Sequence, residues 1–126
     1  MGPATLFGGL PRLTGRGPIT SRLQIGAHCG FNDGCVFDLE APITIGNHVS
    51  VGHEVRFLTK ICQDGIETAA PITVGDGAWL GSRCTLLGGV TVGAGSVIGA
   101  GVTITTDVPP NTLMTGAKSV SLARWR

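Results

Sequence analysis

A chain of 126 residues with 21 glycines, 13% charged side chains and 5% aromatics is one domain by length. Its glycine content suits a corner-rich β architecture better than a helical bundle. A net charge of +1 gives no electrostatic case for nucleic acid or a membrane surface as partner.

No apolar run approaches the roughly 18 residues of a membrane span. The opening MGPATLFGGLPRL lacks a basic stretch followed by an apolar segment, so no signal peptide is read. Leu6 stands where a myristoylation pattern requires Ser or Thr. Four cysteines without the spacing of a small secreted scaffold fit a reducing compartment, and the expected location is cytoplasmic.

In chain order, residues 1–12 carry Gly and Pro with little periodicity and read as an irregular lead-in to a single domain over 1–126. A six-residue frame then begins: Leu13, Ile19, Ile25, Phe31, Phe37. It slips by two residues around Leu39–Thr44, where EAPIT reads as a widened corner, and resumes at Ile45, Val51 and Phe57. The polar segment 58–71 (LTKICQDGIETAAP) breaks the frame and reads as a protruding loop, and long excursions from a rigid scaffold are usually functional or mobile. Residues 109–126 read as a terminal turn and tail, whose end forms a strand or a short helix.

Between Val74 and Val108 the frame is unbroken. Position 1 of each hexad is aliphatic (Val74, Leu80, Leu86, Val92, Ile98, Ile104) and position 2 is Gly in four (Gly75, Gly81, Gly93, Gly99). Position 5 is small or β-branched: Ala78, Cys84, Val90, Ser96, Val102, Val108. A period of six fits no amphipathic helix. It fits a solenoid of short strands joined by tight corners, one hexad to a side, with positions 1 and 5 filling the interior. Four to five coils follow, stacked about 4.8 Å apart. A thin prism of this kind leaves open edges and flat faces that favour self-association.

Cys29, Cys35 and Cys84 fall on position 5 and read as core, since a free Cys packs as a small hydrophobe. Cys62 lies in the frame-breaking loop, outside that explanation. His28, His48 and His53 point away from the core, and Trp79, beside inward Leu80, projects from a coil side. Asn32, Asp33 and Asp38 mark one coil side as wet. Neither a phosphate loop nor a serine triad motif is present.

The words GFNDGCVFDLEAPITIG (Gly30–Gly46), VSVGHEVRFLT (Val49–Thr59), the run from Pro71 to Asn111 and the closing Gly116 are similar to hexapeptide-repeat sugar O-acetyltransferases. These are the nodulation, maltose and colanic-acid types, and the likeness covers about three quarters of the chain. It implies an all-β, left-handed triangular β-helix, an exception to the right-handed rule for parallel crossovers. It further implies a homotrimer, acetyl-CoA as acyl donor, a small hydroxyl acceptor such as a sugar, and no metal. Carried over by motif, Trp79, Ser82, Ala100 and Thr105 face the cofactor in a groove between subunits, where backbone N–H groups steady the oxyanion. Asn32 and Asp38 face the acceptor.

Three departures from that pattern bear on chemistry. In the family the base histidine follows FLT after two variable residues, and here that position is Cys62. The loop is shorter than is common in the family. The basic residue that meets the CoA phosphates is displaced to Lys118 or Arg124, and Thr106 stands where a basic residue is common. A thiol has a reference pKa of about 8.5 against about 6.5 for histidine, so Cys62 needs a depressing neighbour such as Lys60 or His53. It then acts as a nucleophile, or His53 serves as the base. Two alternatives stand beside transfer. One is a β-helix scaffold without catalysis. The other is a zinc site of the prism-fold carbonic anhydrase type on His48 and His53, which lacks a clear third ligand.

Overall fold

The computed structural model describes residues 1–15, 17–116 and 118–121, with the backbone alone described over 118–121. Its strands wind into five triangular coils, and the fold is a left-handed parallel β-helix. The first coil is β1 (Leu6–Phe7), β2 (Arg12–Thr14), a helical turn α1 (Ile19–Arg22) and β3 (Leu23–Ile25). The second is β4 (Gly30–Phe31), β5 (Val36–Asp38) and β6 (Ile43–Ile45). In the third, β7 (Ser50–Val51) and β8 (Arg56–Leu58) are followed by β9 (Lys60–Gln63) and β10 (Ile66–Ala69) before β11 (Ile72–Val74) closes the turn. The fourth is β12 (Trp79–Leu80), β13 (Thr85–Leu87) and β14 (Thr91–Val92). The fifth is β15 (Val97–Ile98), β16 (Thr103–Ile104) and a bridge from Val108 to Val92. Then β17 (Thr112–Thr115) starts a sixth rung, and β18 (Lys118–Ser121) folds back antiparallel on it.

The three faces of the prism are the three ladders. Face A runs β1-β4-β7-β12-β15-β17-β18, face B runs β2-β5-β8-β13-β16, and face C runs β3-β6-β11-β14. Their corners are AB, BC and CA.

The hexad frame explains the interior. Every position-1 residue from Val74 to Ile104 is at most 2% exposed, and Ala78, Cys84, Val90, Ser96, Val102 and Val108 are all buried with them. Stacked coils place like residues over like. Phe37 lies on Phe57 with ring centroids 4.8 Å apart, and Phe7 on Phe31 at 4.6 Å. Each fully buried large side chain contributes about 1.5–3 kcal/mol, which repetition turns into a core without a globular centre. Cys29, Cys35 and Cys84 belong to that core.

Positions 2 and 4 make the corners for different reasons. Where position 2 is glycine, as at Gly81, the backbone of the next coil passes too close for a side chain: a Cβ there would lie 2.7 Å from the Ala100 nitrogen. Position 4 is where φ turns positive, at His28 (58°), Gly34 (80°), His48 (57°), Glu54 (56°), Gly77 (70°), Arg83 (59°), Gly95 (69°) and Gly101 (73°). The N–H of that residue then donates to the position-3 carbonyl of the preceding coil, as Arg83 does to His53 at 2.7 Å.

Two expectations change near the N-terminus. Within the stretch read as a lead-in, Leu6–Phe7 pairs parallel with Gly30–Phe31, and Phe7 continues the six-residue frame one hexad earlier than Leu13. Ile19, expected inside with that frame, is instead 49% exposed on α1. Gly17 and Pro18 lead the chain into α1 rather than along the coil, and Arg22 ties it back by donating to the Leu39 and Glu40 carbonyls at 3.1 and 2.7 Å.

Candidate functional site

The protruding segment is a β-hairpin. Its tip, Asp64 and Gly65, has φ of 52° and 74°, positive at both central residues of a two-residue turn as a twisted hairpin requires. It leaves the prism at corner BC, the corner that also carries α1 one coil pair below. Asp38 and Thr59 hold its base. The Asp38 carboxylate accepts from the Lys60 N–H at 2.9 Å. Buried Thr59 donates to the Asp38 carbonyl at 2.7 Å and accepts from the Ala41 N–H at 3.0 Å. Asp38 is thus buried, and the coil side expected to be wet is dry at this residue because the hairpin covers it.

On the hairpin, Cys62 is exposed and paired in register with Glu67. The Lys60 ammonium sits 3.3 Å from the Glu67 carboxylate, so the cation nearest in sequence to Cys62 is engaged by an acid. His53 stands elsewhere, on corner AB, where its N–H donates to Ser82 Oγ at 3.0 Å. Strand β8 separates the two, about 10 Å of extended chain. The structure does not bring Cys62 and His53 together within one chain.

Corner AB collects most of the remaining residues singled out by sequence. His53, Ser82 and Ala100 occupy position 3 on successive coils, and Asn32 occupies position 2 on the coil before them. Asn32 is exposed and donates through Nδ2 to the Val51 carbonyl at 3.1 Å. Position-3 side chains normally serve the coil below: Asn47 accepts from Ala27 N–H, Asp76 from Asn47 N–H, and Ser82 from His53 N–H. Ala100 breaks this ladder because a methyl group accepts nothing. The Ser82 and Ala100 N–H groups are left one coil apart with no acceptor among the described residues. Beside them on face A, Trp79 is 61% exposed and walls a groove of about 500 Å³ whose floor is Gly30 and Ser50 and whose rim includes Asn32.

Thr105 lies apart, exposed at corner BC of the fifth coil beyond β16. Lys118 opens β18, opposite Thr115, and Arg124 lies outside the described residues. His28 and His48, both at position 4, stack with ring centroids 5.0 Å apart at corner CA. No group of three or more His, Cys, Asp or Glu stands close enough to hold a metal ion among the described residues. No helix there is long and apolar enough to cross a membrane.

Residues 71–106 match the family model described as bacterial transferase hexapeptide (six repeats). Over 97% of this chain and 73% of the other, the fold superposes on the hexapeptide-repeat containing acetyltransferase VCA0836 of Vibrio cholerae, with a TM-score of 0.86 and 30% identity. The galactoside O-acetyltransferase of Escherichia coli is 33% identical over 105 residues, 76% of this chain and 51% of its own. A Schizosaccharomyces pombe relative is 45% identical over 93 residues, 68% of this chain and 45% of its own. This chain therefore belongs to the hexapeptide-repeat transferase family. It spans about half the length of these two curated relatives.

Sequence reasoning missed three side chains beside corner AB. Glu54, Arg56 and Arg83 line a recess on the face-B flank. The available signal was positional: Glu54 and Arg83 occupy position 4, which is Gly34 and Gly101 in the coils on either side of them.

Proposed function

We propose that the chain is an acetyl-CoA-dependent O-acetyltransferase that acts on a sugar or similar small hydroxyl acceptor, assembled as a homotrimer in the cytoplasm. The observation that carries this reading is the pair of unpartnered N–H groups on Ser82 and Ala100, beside exposed Trp79. Such a row offers hydrogen bonds to the carbonyl groups of an extended ligand laid along the corner, while an indole face offers it apolar cover. Two related structures support the choice of ligand. The Vibrio cholerae enzyme has been solved with acetyl coenzyme A, at 31% identity, and a galactoside acetyltransferase with coenzyme A, at 28% identity.

Acetyl-CoA, when bound, supplies a thioester-activated acetyl group. The chain's own residues then have three tasks. Corner AB positions the donor and its N–H groups meet the charge that develops on the acetyl oxygen. Asn32, on the rim of the same groove, orients the acceptor, with Asp38 fixing the hairpin that faces it. By one route His53, as a general base, takes the hydroxyl proton; by the other the Cys62 thiolate would take the acetyl group with the CoA thiol as leaving group, and the acceptor hydroxyl would then displace Cys62, its proton passing to the departing thiolate. Thr105, exposed on corner BC, meets the donor from the neighbouring chain, and Lys118, beyond the fifth coil, completes the cofactor-binding set. Because Cys62 and His53 occupy different corners, a site using the hairpin and corner AB together is built by two neighbouring chains.

A thiol-release assay with acetyl-CoA and a panel of sugars tests this. Turnover is expected with at least one acceptor, together with a rise in melting temperature on adding excess CoA. Under the nucleophile route Cys62→Ala abolishes turnover and His53→Ala reduces it less; under the base route the order reverses. Silence with every acceptor and no thermal shift would overturn the reading in favour of a scaffold.

A further inference from the structure

The face-B flank of corner AB holds a recess of about 330 Å³ lined by Gly34, Val36, Glu54, Arg56 and Arg83. We propose that this recess binds a phosphoryl group on a hydroxylated organic ligand. Two guanidinium groups share it, and no acid stands within ion-pair distance of either among the described residues. Arg56 is already oriented, its Nη2 donating to Thr85 Oγ1 at 3.0 Å. Among the described residues the Arg83 side chain makes no such bond, which leaves it to close on a ligand. Planar, multi-donor forks of this kind match the oxygens of phosphate better than any other side chain.

The backbone gives a second, independent observation. On corner AB, position 4 is glycine in the second and fifth coils (Gly34 and Gly101), but Glu54 and Arg83 in the third and fourth. Both of these non-glycine residues sit at positive φ, 56° and 59°, which costs an L-residue about 1 kcal/mol or more. Both line the recess. Strain retained where glycine serves the fold equally well points to a use for the side chains themselves. Gly34 keeps the space open, since a Cβ there would meet Glu54 Cγ at 2.9 Å.

The volume exceeds that of a bare phosphate, and Glu54 supplies an acceptor for ligand hydroxyls. A phosphorylated sugar and the phosphates of the acyl donor share this chemistry. Its connection to acetyl transfer rests on the reading above; binding itself does not.

Titration of the ¹⁵N-labelled protein with inorganic phosphate, against sodium chloride at matched ionic strength, reads the arginine Nε–H resonances. The expected result is a saturable shift of Arg56 and Arg83 with phosphate only, weakened at least tenfold in R83Q and likewise in R56Q. Arg83 is exposed and its side chain unbonded, so R83Q keeps the fold and the same melting temperature. Glucose 6-phosphate and CoA form the next two arms. Tighter binding of the sugar phosphate assigns the recess to the acceptor, tighter binding of CoA to the donor, and either result upholds the site. A shift that fails to saturate, that chloride reproduces, or that survives in R83Q would overturn it. A silent thiol-release assay alongside saturable phosphate binding sinks the transfer reading and leaves the site standing.

Discussion

Cys84 sits inside the prism with none of its surface exposed, and burial pushes its thiol up to about 12, with charge on Cys35 adding to the rise and a backbone hydrogen bond opposing it. Burial likewise raises Cys35, against a hydrogen bond to the Val55 backbone. An acid whose pKa is higher folded than unfolded keeps its proton longer in the native state. The unfolded chain therefore binds fewer protons above the ordinary value of 9.0, and stability falls as pH rises. The contribution is whole below pH 9 and lost between about 9 and 12. Tyrosine is absent from the chain, which leaves few other groups to titrate neutral-to-charged in that window. Urea midpoints measured from pH 8 to 11.5 are expected to fall, and to fall less in Cys84→Val, a replacement already tolerated by the same column at Val55 and Val102. An equally steep fall in the variant would assign the loss to other groups. The cysteines were legible as core because position 5 demands a small side chain whatever its chemistry. Arg83 and Glu54 were not, because their significance lies in a φ angle that spacing alone does not reveal.

The hairpin hangs from the prism by few bonds, and Asp38 makes the most exacting of them. Its carboxylate accepts the Lys60 N–H in a half-buried setting, and its carbonyl accepts from buried Thr59. Removing the carboxylate leaves a half-buried N–H unsatisfied, which costs about 1–3 kcal/mol. Asp38→Ala is expected to lower stability by that order in urea unfolding and to speed amide exchange across Lys60–Ala69, with face C and corner CA unaffected. Unchanged exchange in the hairpin would show that Asp38 does not anchor it. The same element shows where pattern reading stops. The break in the six-residue frame marks the excursion, and the Asp64-Gly65 pair is a recognised signal for a tight hairpin. The anchor is invisible in sequence because Asp38 and Lys60 are a full coil apart and meet only when β5 and β8 stack. Phe7 was missed for a related reason: Pro and Gly around it mask a frame that its stacking on Phe31 makes plain.

At the scale of the whole molecule, face B lies between two sets of chemical groups. Corner AB bears Asn32, His53, Ser82 and Ala100, while corner BC bears the hairpin with Cys62 and, two coils on, Thr105. A rigid prism does not bend to join its own corners, since every coil is locked to the next by parallel pairing on all three faces. In the proposed homotrimer two neighbouring prisms would join them, corner AB of one chain facing the hairpin of the next. A homotrimer made this way has three equivalent sites, each drawing on two chains. That arrangement has a consequence that a single-chain site lacks. Take one variant disabled on corner AB, such as Ala100→Arg, and another disabled on the hairpin, such as Cys62→Ala combined with Lys60→Ala. Under the Cys62 route each alone is inactive in homotrimers, whereas mixed trimers refolded from equal amounts contain some interfaces where an intact corner meets an intact hairpin. Random mixing makes that about a quarter of all interfaces, so recovered turnover near a quarter of the wild-type value is expected, with a trimer mass by sedimentation. Recovery at background level from trimers shown to be mixed would place both sets of groups at work within one chain, and would require the hairpin to swing across face B.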